Sequence, residues 1–242
     1  MVIDLEDDPP VIPKNMSVPM EVYVQKENSM NNRFGSDVVN HVKTDTIILI
    51  DDDVLLSEGM IFKMLKSYQT NENQIASSKT SQTDTNSTIV GIRNDARIAS
   101  NKEGYIFPCW RIEGYIFSLA CWKSPFSSLP KPNVVIGKTM LIHKKWLKLY
   151  QQDLALWSYT GEQKHFCEDI LMNALIRNST SIIRPPILVE KDTINTRQVL
   201  EESGGLSSKG LSSFMWGFEW AKRRTECVRW GVNHFGKDIW AG

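Results

Sequence analysis

The chain has 242 residues, and its 28 lysine and arginine residues balance 28 aspartate and glutamate residues, so the formal net charge is zero. This balance argues against nucleic-acid binding driven by charge, and no basic run interleaved with aromatic residues is present. No apolar run reaches the roughly 18 residues needed to cross a membrane, and the acidic, proline-rich segment 1–19 is unlike a signal peptide.

Strand and helix patterns alternate along the chain, which favours an α/β fold. The first half predicts an irregular lead-in (1–19), a strand (20–25), a helix and turn capped by Asn28 or Ser29 (28–42), a strand (46–50), a helix capped by Ser57, a mobile polar loop (77–88), a strand (88–92) and a hairpin (104–122). The second half predicts a strand, turn, strand and helix (132–150), a helix (165–179), a strand broken by a turn (181–189), a Gly/Ser-rich loop (192–213) and an amphipathic helix (214–235).

Three consecutive carboxylates, Asp51, Asp52 and Asp53, directly follow the apolar strand 46–50, which we expect to be buried on both faces of a parallel sheet. One carboxylate could simply cap the next helix, as Ser57 could. Three adjacent like charges repel one another, however, and this raises their proton affinity unless a cation compensates. Mg²⁺ or Mn²⁺ takes oxygen ligands and keeps positions open for phosphate. Because open α/β sheets bind ligands at the carboxyl ends of strands, the segment predicts a divalent metal site.

Such a metal could serve two kinds of chemistry. It could activate phosphorus in phosphoryl transfer, or it could hold the diphosphate leaving group of a nucleotide-sugar. A phosphatase of the haloacid-dehalogenase type would continue its aspartate pair with a Gly/Thr pattern, and DDDVLLS (51–57) lacks that continuation. This argues against a phosphatase of that type and leaves the two kinds of metal chemistry open at this point.

Further charged residues lie near the carboxyl-terminal cysteines. Glu168 and Asp169 fall at a predicted helix start, where the macrodipole favours anions, although first-turn acids are also common on ordinary helices. The basic run Lys222, Arg223 and Arg224 could be a solvated helix face, but arginine is suited to gripping a diphosphate. The four cysteines, none of them in a CxxC pair, are Cys109, Cys121, Cys167 and Cys227, and their spacing leaves disulfides and free thiols open.

Taken together, these segments resemble the exostosin-type glycosyltransferases, glycosyltransferase family 64. The matching pieces are KENSMNNRF (26–34), TIILIDDDVLLS (46–57), TIVGIR (88–93), VVIGKTMLIHKKWLKLY (134–150), HFCEDILMNALIRNST (165–180) and RRTECVRWGVNHFG (223–236). The resemblance implies a GT-A-like fold with a mixed central sheet. It also implies transfer of a sugar, GlcNAc-like or a related hexose, from a UDP-sugar to a glycan or glycolipid acceptor. Configuration would be retained, and Mn²⁺ would be the metal, with Mg²⁺ as the alternative.

Carried over to this chain, the resemblance assigns donor-binding roles to the first half. Asn28 and Arg33 match positions that contact the nucleotide. Asp51 and Asp52 match contacts to the nucleotide or the sugar, and Asp53 matches the direct metal ligand, which bridges to the diphosphate.

In the second half the resemblance implies the catalytic residues. Glu168 and Asp169 match the acidic pair that handles donor sugar and acceptor, with Asp169 as the indispensable member. Arg224 matches an arginine that steadies the departing diphosphate, and Cys167 and Cys227 match a family disulfide. That disulfide predicts a location in the lumen of the Golgi or endoplasmic reticulum. Membrane association is expected only through a segment outside this sequence. The protein could also form oligomers.

The chain departs from the family pattern at its start. We expect a single catalytic domain over 20–240 that lacks the first strand–helix–strand of the uridine pocket, because the lead-in 1–19 has no room for it. This would leave an apolar sheet edge exposed. The alternative reading is therefore a non-catalytic, glycosyltransferase-like chain that binds a partner enzyme or a glycan. The acceptor segments, 104–125 and 192–216, are the parts that least match the family.

Overall fold

A computed structural model of the chain describes residues 2–3, 23–24, 29–51, 54, 56–78, 84–93, 96–100, 104–106, 111–112, 115–116, 132–162, 167–181, 183–190, 214–236 and 239–240. Within them the strands are β1 (Val2–Ile3), β2 (Tyr23–Val24), β3 (Thr46–Ile50), β4 (Val90–Ile92), β5 (Ala96–Ser100), β6 (Gly104–Ile106), β7 (Arg111–Ile112), β8 (Tyr115–Ile116), β9 (Val134–Val135), β10 (Thr139–His143) and β11 (Ile187–Val189). The helices are a 3₁₀ helix (Met30–Phe34), α1 (Ser36–His41), α2 (Glu58–Ser77), α3 (Lys145–Gln152), α4 (Leu154–Glu162), α5 (Glu168–Asn178) and α6 (Phe214–Phe235).

The main sheet is mixed, which confirms the predicted α/β class. Its order is β11-β4-β10-β3, with β11 and β4 parallel and with β10 antiparallel to both β4 and β3. The predicted strand at 46–50 is therefore confirmed, but its expected parallel, fully buried setting is wrong. Its hydrogen-bonded neighbour is antiparallel, and among the described strands β3 lies at the edge of this sheet. The edge position leaves its residues only partly buried, and Ile50 is exposed.

Side chains alternate between the two faces of this sheet and fill two cores. On one face α2 packs Met60, Met64 and Tyr68 over Leu141 of β10. On the other face Met140 and Ile142 join the larger core, which includes residues of α3, α5 and α6. The sheet is thus the middle layer between α2 and the helices that carry the predicted site.

A smaller sheet, β6-β5-β9, brings its strand β9 close to the main sheet and to α5. A Cβ added at Gly91 of β4 would lie 2.4 Å from a methyl carbon of Val135, so only glycine permits this approach of β4 and β9. The turn after β9 then carries Gly137 into β10, and this turn lies at the site described below.

Two local predictions, the cap at Ser57 and the carboxyl-terminal helix, are confirmed, and a third is corrected. Ser57 accepts a hydrogen bond from the Met60 N–H and caps α2, and the carboxyl-terminal helix spans Phe214–Phe235 as expected. The predicted helix at 28–42 is two elements, a 3₁₀ helix capped by Ser29 and then α1. The predicted hairpin region contains the antiparallel pair β7 and β8.

The polar segment 77–88, which we expected to be a mobile loop, is hydrogen-bonded to neighbouring elements at residues 84–88. The carboxylate of Glu72 accepts from the backbone N–H groups of Asn86 (2.5 Å) and Thr88 (2.9 Å). Asp84 is fully buried and accepts from the Ser181 N–H (2.8 Å). Polar side chains thus hold the segment to α2 and to the end of α5, a long-range effect that its low-complexity sequence does not reveal.

Several expectations fall on residues that the structure does not describe. They concern most of the lead-in 1–19, the loop 192–213, and Cys109 and Cys121. The domain limits 20–240 stay a prediction. Among the described helices, none combines the length and apolar character needed to cross a membrane.

Candidate active site

Asp51 leaves the carboxyl end of β3 next to an arginine. Its backbone N–H donates to the Lys138 carbonyl (3.1 Å), which extends the pairing of β3 with β10 by one residue. Its Oδ1 lies 2.8 Å from Nη1 of Arg33, and the same nitrogen donates to the Gly137 carbonyl (3.2 Å). One guanidinium group therefore connects the end of β3 to the turn between β9 and β10.

The 3₁₀ helix holds Arg33 in place through the residues around it. Phe34 is buried and meets Tyr150 of α3 edge-on, with ring centroids 4.9 Å apart. Asn31 donates to the Trp157 carbonyl (3.0 Å) and accepts from the Tyr150 hydroxyl (3.2 Å). Because its neighbours pack on α3 and α4, the side chain of Arg33 extends from a fixed base.

The first turn of α5 places a second carboxylate beside a second arginine. Nη2 of Arg224 lies 2.7 Å from Oδ1 and 2.6 Å from Oδ2 of Asp169. Asp169 also accepts from the N–H groups of Gly137 (2.9 Å) and Ile170 (2.6 Å). Both residues are buried, and the four hydrogen bonds that Asp169 accepts compensate the removal of its charge from water.

Gly137 joins the two ion pairs through a single residue. Its carbonyl accepts from Arg33, and its N–H donates to Asp169. A Cβ at this position would lie 2.8 Å from Nη1 of Arg33 and 3.6 Å from Oε1 of Glu168. Any other residue here would therefore displace the guanidinium of Arg33, whereas the distance to Glu168 is an ordinary van der Waals contact. The sequence alone did not predict a role for Gly137. The one indication in the sequence is a glycine that interrupts two apolar segments in VVIGKT (134–139).

Glu168 is the member of the site with a perturbed proton affinity. The pKa of its carboxyl is raised to about 7, chiefly by burial and then by the Asp169 carboxylate, while Arg33 and Arg224 act in the opposite direction. Within the described part of the chain, its buried Oε2 has no hydrogen-bond partner. A buried acceptor without a partner is costly, and it is the kind of atom that a bound hydroxyl group can satisfy.

A disulfide between Cys167 and Cys227 ties the start of α5 to α6, as the resemblance implied. The two Cα atoms are 5.4 Å apart. Cys167 directly precedes the acidic pair, and Arg224 lies one helical turn before Cys227. The covalent link therefore joins the two helices beside the ion pair of Arg224 and Asp169.

A model of the glycosyl transferase family 64 domain matches residues 6–238, nearly the whole chain. The chain belongs to glycosyltransferase family 64. A comparison with curated proteins found no significant match. Family membership makes this a glycosyltransferase domain, and its mixed α/β architecture agrees with that assignment.

The family 64 domain brings together the predicted site residues that the structure describes. Arg33, Asp51, Asp169 and Arg224 meet through Gly137, and Glu168 lies beside them. The other predicted residues, Asn28, Asp52 and Asp53, lie outside the described residues.

The side chains present suit a hard divalent ion in their chemistry, since they offer carboxylate oxygens. Of these carboxylates, Asp51 is paired with Arg33 and Asp169 with Arg224. In the described ranges, no group of three or more His, Cys, Asp or Glu residues has the geometry of a metal site. The expected ligand, Asp53, lies outside those ranges, so the metal stays a prediction.

Proposed function

We propose that this family 64 domain transfers a sugar, GlcNAc-like or a related hexose, from a UDP-sugar to a glycan or glycolipid, with retention of configuration and with Mn²⁺ or Mg²⁺. The observation that carries the proposal is the convergence of two arginines and three carboxylates around Gly137, at the carboxyl end of β3. Arginines bind a diphosphate well, and carboxylates can orient sugar hydroxyl groups.

The donor side of the site is formed by Arg33 and the acidic run. Arg33 keeps part of its side chain open to solvent, so it can contact the nucleotide, together with Asn28. Asp51 and Asp52 would contact the nucleotide or the sugar. A Mn²⁺ or Mg²⁺ ion, when held by Asp53, would neutralise charge on the diphosphate leaving group.

The buried pair of Arg224 and Asp169 supports the chemical step. Arg224 would stabilise the negative charge that develops on the departing diphosphate, and Asp169 would orient the sugars. The acceptor oxygen forms a bond to the anomeric carbon as the bond to the diphosphate oxygen breaks. The acceptor proton passes to that leaving oxygen on the same face of the sugar, which gives retention without a protein nucleophile.

Glu168 would bind a hydroxyl of the donor sugar through Oε2. Its pKa of about 7 means that the carboxyl can either donate or accept a hydrogen bond near neutral pH. This dual capacity suits a group that must remain hydrogen-bonded while the charge of the neighbouring diphosphate changes.

We further propose that the protein works in the lumen of the Golgi or endoplasmic reticulum. The disulfide between Cys167 and Cys227 supports this compartment, because such bonds persist where the medium is oxidising. We expect protein isolated from cells under thiol-blocking conditions to hold Cys167 and Cys227 in one disulfide-linked peptide pair by mass spectrometry. Blocked, unpaired thiols at both positions would contradict the proposed compartment.

The test of the proposed function is calorimetric titration of UDP into the chain, with and without Mn²⁺. The informative variant is Asp53→Ala, and Asp45→Ala is its matched control. Asp45 lies at the opposite end of β3 and is largely exposed. We expect saturable, Mn²⁺-dependent binding that is lost in Asp53→Ala and kept in Asp45→Ala. If the wild-type chain binds UDP, we expect a screen of UDP-sugars to identify a donor that it consumes.

Two results would overturn the proposal. If the folded chain fails to bind UDP, or binds it but consumes no UDP-sugar, it is a non-catalytic member of the family that binds a partner enzyme or a glycan. If UDP binding is equal in the presence and absence of Mn²⁺ and survives Asp53→Ala, the metal role assigned to the acidic run is wrong.

A further inference from the structure

One face of α5 bonds the backbone of residues 133–137, called here the β9 segment. Asn173 makes two hydrogen bonds to the backbone of Val135. Its Oδ1 accepts from the Val135 N–H (3.1 Å), and its Nδ2 donates to the Val135 carbonyl (2.8 Å). The same Nδ2 donates to the carbonyl of Asp169, one turn earlier in the helix (2.8 Å). The amide thus uses both of its N–H bonds and its oxygen while fully buried.

The contacts on either side of Asn173 follow a regular spacing. Asp169 accepts from the Gly137 N–H (2.9 Å), and Arg177 donates to the Asn133 carbonyl (3.5 Å). Helix positions four apart thereby meet positions two apart in the β9 segment. Four helical residues rise about 6 Å, and two strand residues advance about 6.6–6.8 Å. The two repeats match within about 1 Å, so the helix lies along the β9 segment with one register.

We infer that Asn173 is a positioning residue that sets this register and thereby places the carboxylate of Asp169 against Gly137 and Arg224. The inference rests on the proposed function, because the effect on catalysis is exerted through Asp169. A slip of α5 along the β9 segment would first break the bonds of Asn173. The same slip would carry Asp169 away from the Gly137 N–H, because Asp169 and Asn173 lie one turn apart on the same helix.

Only a primary amide of this length satisfies the position. Aspartate could accept from the Val135 N–H but would set a negative charge against two carbonyl groups. Leucine would fill the space but would leave a buried N–H and a buried C=O of Val135 without partners, which is costly. Glutamine would carry the amide one methylene further and displace α5 from the β9 segment.

The chain offers a matched control in Asn133. Its side chain also makes three hydrogen bonds: it accepts from the Ala99 N–H (2.7 Å) and donates to the carbonyls of Ala99 (2.9 Å) and Trp240 (3.1 Å). Asn133 is buried as well, but its side chain does not contact α5 through any of these bonds. Its contact with Arg177 uses the backbone carbonyl, which a substitution leaves intact.

The experiment compares Asn173→Ala with Asn133→Ala at a temperature where both variants are folded by circular dichroism. We expect similar losses of stability from the two substitutions. The kcat for sugar transfer should fall about 10- to 100-fold in Asn173→Ala, with KM for the donor changed less than about threefold, because a small misplacement of a catalytic group costs rate rather than binding. In Asn133→Ala the kcat should stay within about twofold. Equal losses of kcat in both variants would overturn the inference.

A readout independent of activity separates this inference from the proposed function. We expect the amide proton of Gly137 to exchange with solvent at least about tenfold faster in Asn173→Ala than in Asn133→Ala, measured by NMR. Unchanged exchange would refute the positioning role, even if transfer were impaired. If the wild-type chain transfers no sugar, the proposed function fails, and the exchange measurement still tests the register. Should Asn173→Ala not fold, Asn173→Ser replaces it, since serine can bond the Asp169 carbonyl but cannot reach Val135.

Discussion

The two arginine–carboxylate pairs that meet at Gly137 differ in their access to water. The side chains of Arg33 and Asp51 are 18% and 23% exposed, whereas those of Arg224 and Asp169 are 5% and 4% exposed. The first pair links a 3₁₀ helix to a strand end. The second pair joins two helices that are also linked by a disulfide.

This difference in exposure indicates that the two ion pairs have different roles. A partly exposed ion pair contributes little to stability, so its arginine can exchange a carboxylate for an incoming phosphate at small cost. Breaking a buried pair leaves an uncompensated charge in the interior, which costs far more. The pair of Arg33 and Asp51 is therefore suited to binding a ligand, and the pair of Arg224 and Asp169 to holding fixed charges around the reacting bond.

The largest expected effect comes from removing a charge from the buried pair. Asp169→Asn leaves Arg224 buried without a full negative partner, so we expect the free energy of unfolding to fall by about 3–5 kcal/mol. The kcat should fall at least about 100-fold, because a preorganised charge is lost. Urea unfolding and steady-state transfer assays measure both quantities.

Asp51→Asn is the comparison for Asp169→Asn, since it makes the same chemical change in the partly exposed pair. We expect its free energy of unfolding to change by about 1 kcal/mol or less. Unchanged turnover in Asp169→Asn would refute its catalytic role. Equal destabilisation by the two substitutions would show that burial does not distinguish the pairs.

Removal of the disulfide should weaken the buried pair and spare the other. The double variant Cys167→Ser and Cys227→Ser releases a link between residues 60 apart in the sequence. A loop of that size corresponds to about 4 kcal/mol in the chain-entropy model. We expect this loss in chemical unfolding, together with a lower kcat, while UDP binding through Arg33 changes little. A selective loss of UDP binding, with kcat preserved, would contradict the proposed roles of the two pairs.

Because the carboxyl of Glu168 is buried, we expect the difference in stability between the wild type and Glu168→Gln to depend on pH. Its pKa is about 7 in the folded chain against an ordinary 4.5, so folding favours the protonated form. Its stabilising contribution is therefore full below about pH 4.5 and is lost as the pH rises through 7. Glutamine stays neutral throughout. Glu168→Gln should match the wild type near pH 4.5 and exceed it by about 3 kcal/mol above pH 7.

Urea unfolding between pH 4.5 and 8 measures this difference, and Glu162→Gln is the control. Glu162 is an exposed glutamate at the end of α4, so Glu162→Gln removes the same charged group from a position that is not buried. A constant difference for Glu168→Gln across this range would show that the carboxyl is not held in its neutral form by burial.

Local signals were sufficient to predict many of the elements. The cap at Ser57, the apolar run of β3 and the long amphipathic pattern of α6 each lie within one segment of sequence, and the structure confirms all three. The acidic start of α5 was predicted for the same reason. These features depend on neighbours in sequence, which a single sequence contains in full.

The features that the sequence did not predict depend on contacts between distant parts of the chain. The helix α4 was not predicted, since it follows α3 after a single residue and has only a weak apolar stripe, with Leu156 and Thr160 as its buried residues. The edge position of β3 depends on which strands pair, and the role of Gly137 depends on its approach to Arg33 and Asp169. The resemblance to family 64 supplied the pairing of distant residues that the local patterns could not.

The smallest expected effect concerns the same substitution in both arginines. In Arg33→Lys the ammonium group keeps the charge, but it cannot reproduce the planar guanidinium that meets Asp51 and the Gly137 carbonyl. Because this pair is partly exposed, the free energy of unfolding should change by about 1 kcal/mol or less. The Kd for UDP should rise about tenfold, close to the loss of one good phosphate contact.

Arg224→Lys should instead lower stability by more than Arg33→Lys, because a misfit there leaves part of a buried carboxylate unsatisfied. Thermal unfolding and UDP titration of the two variants give both numbers. If Arg33→Lys proves the more destabilising, the pair at the end of β3 is the fixed one, and the roles assigned to the two arginines must be exchanged.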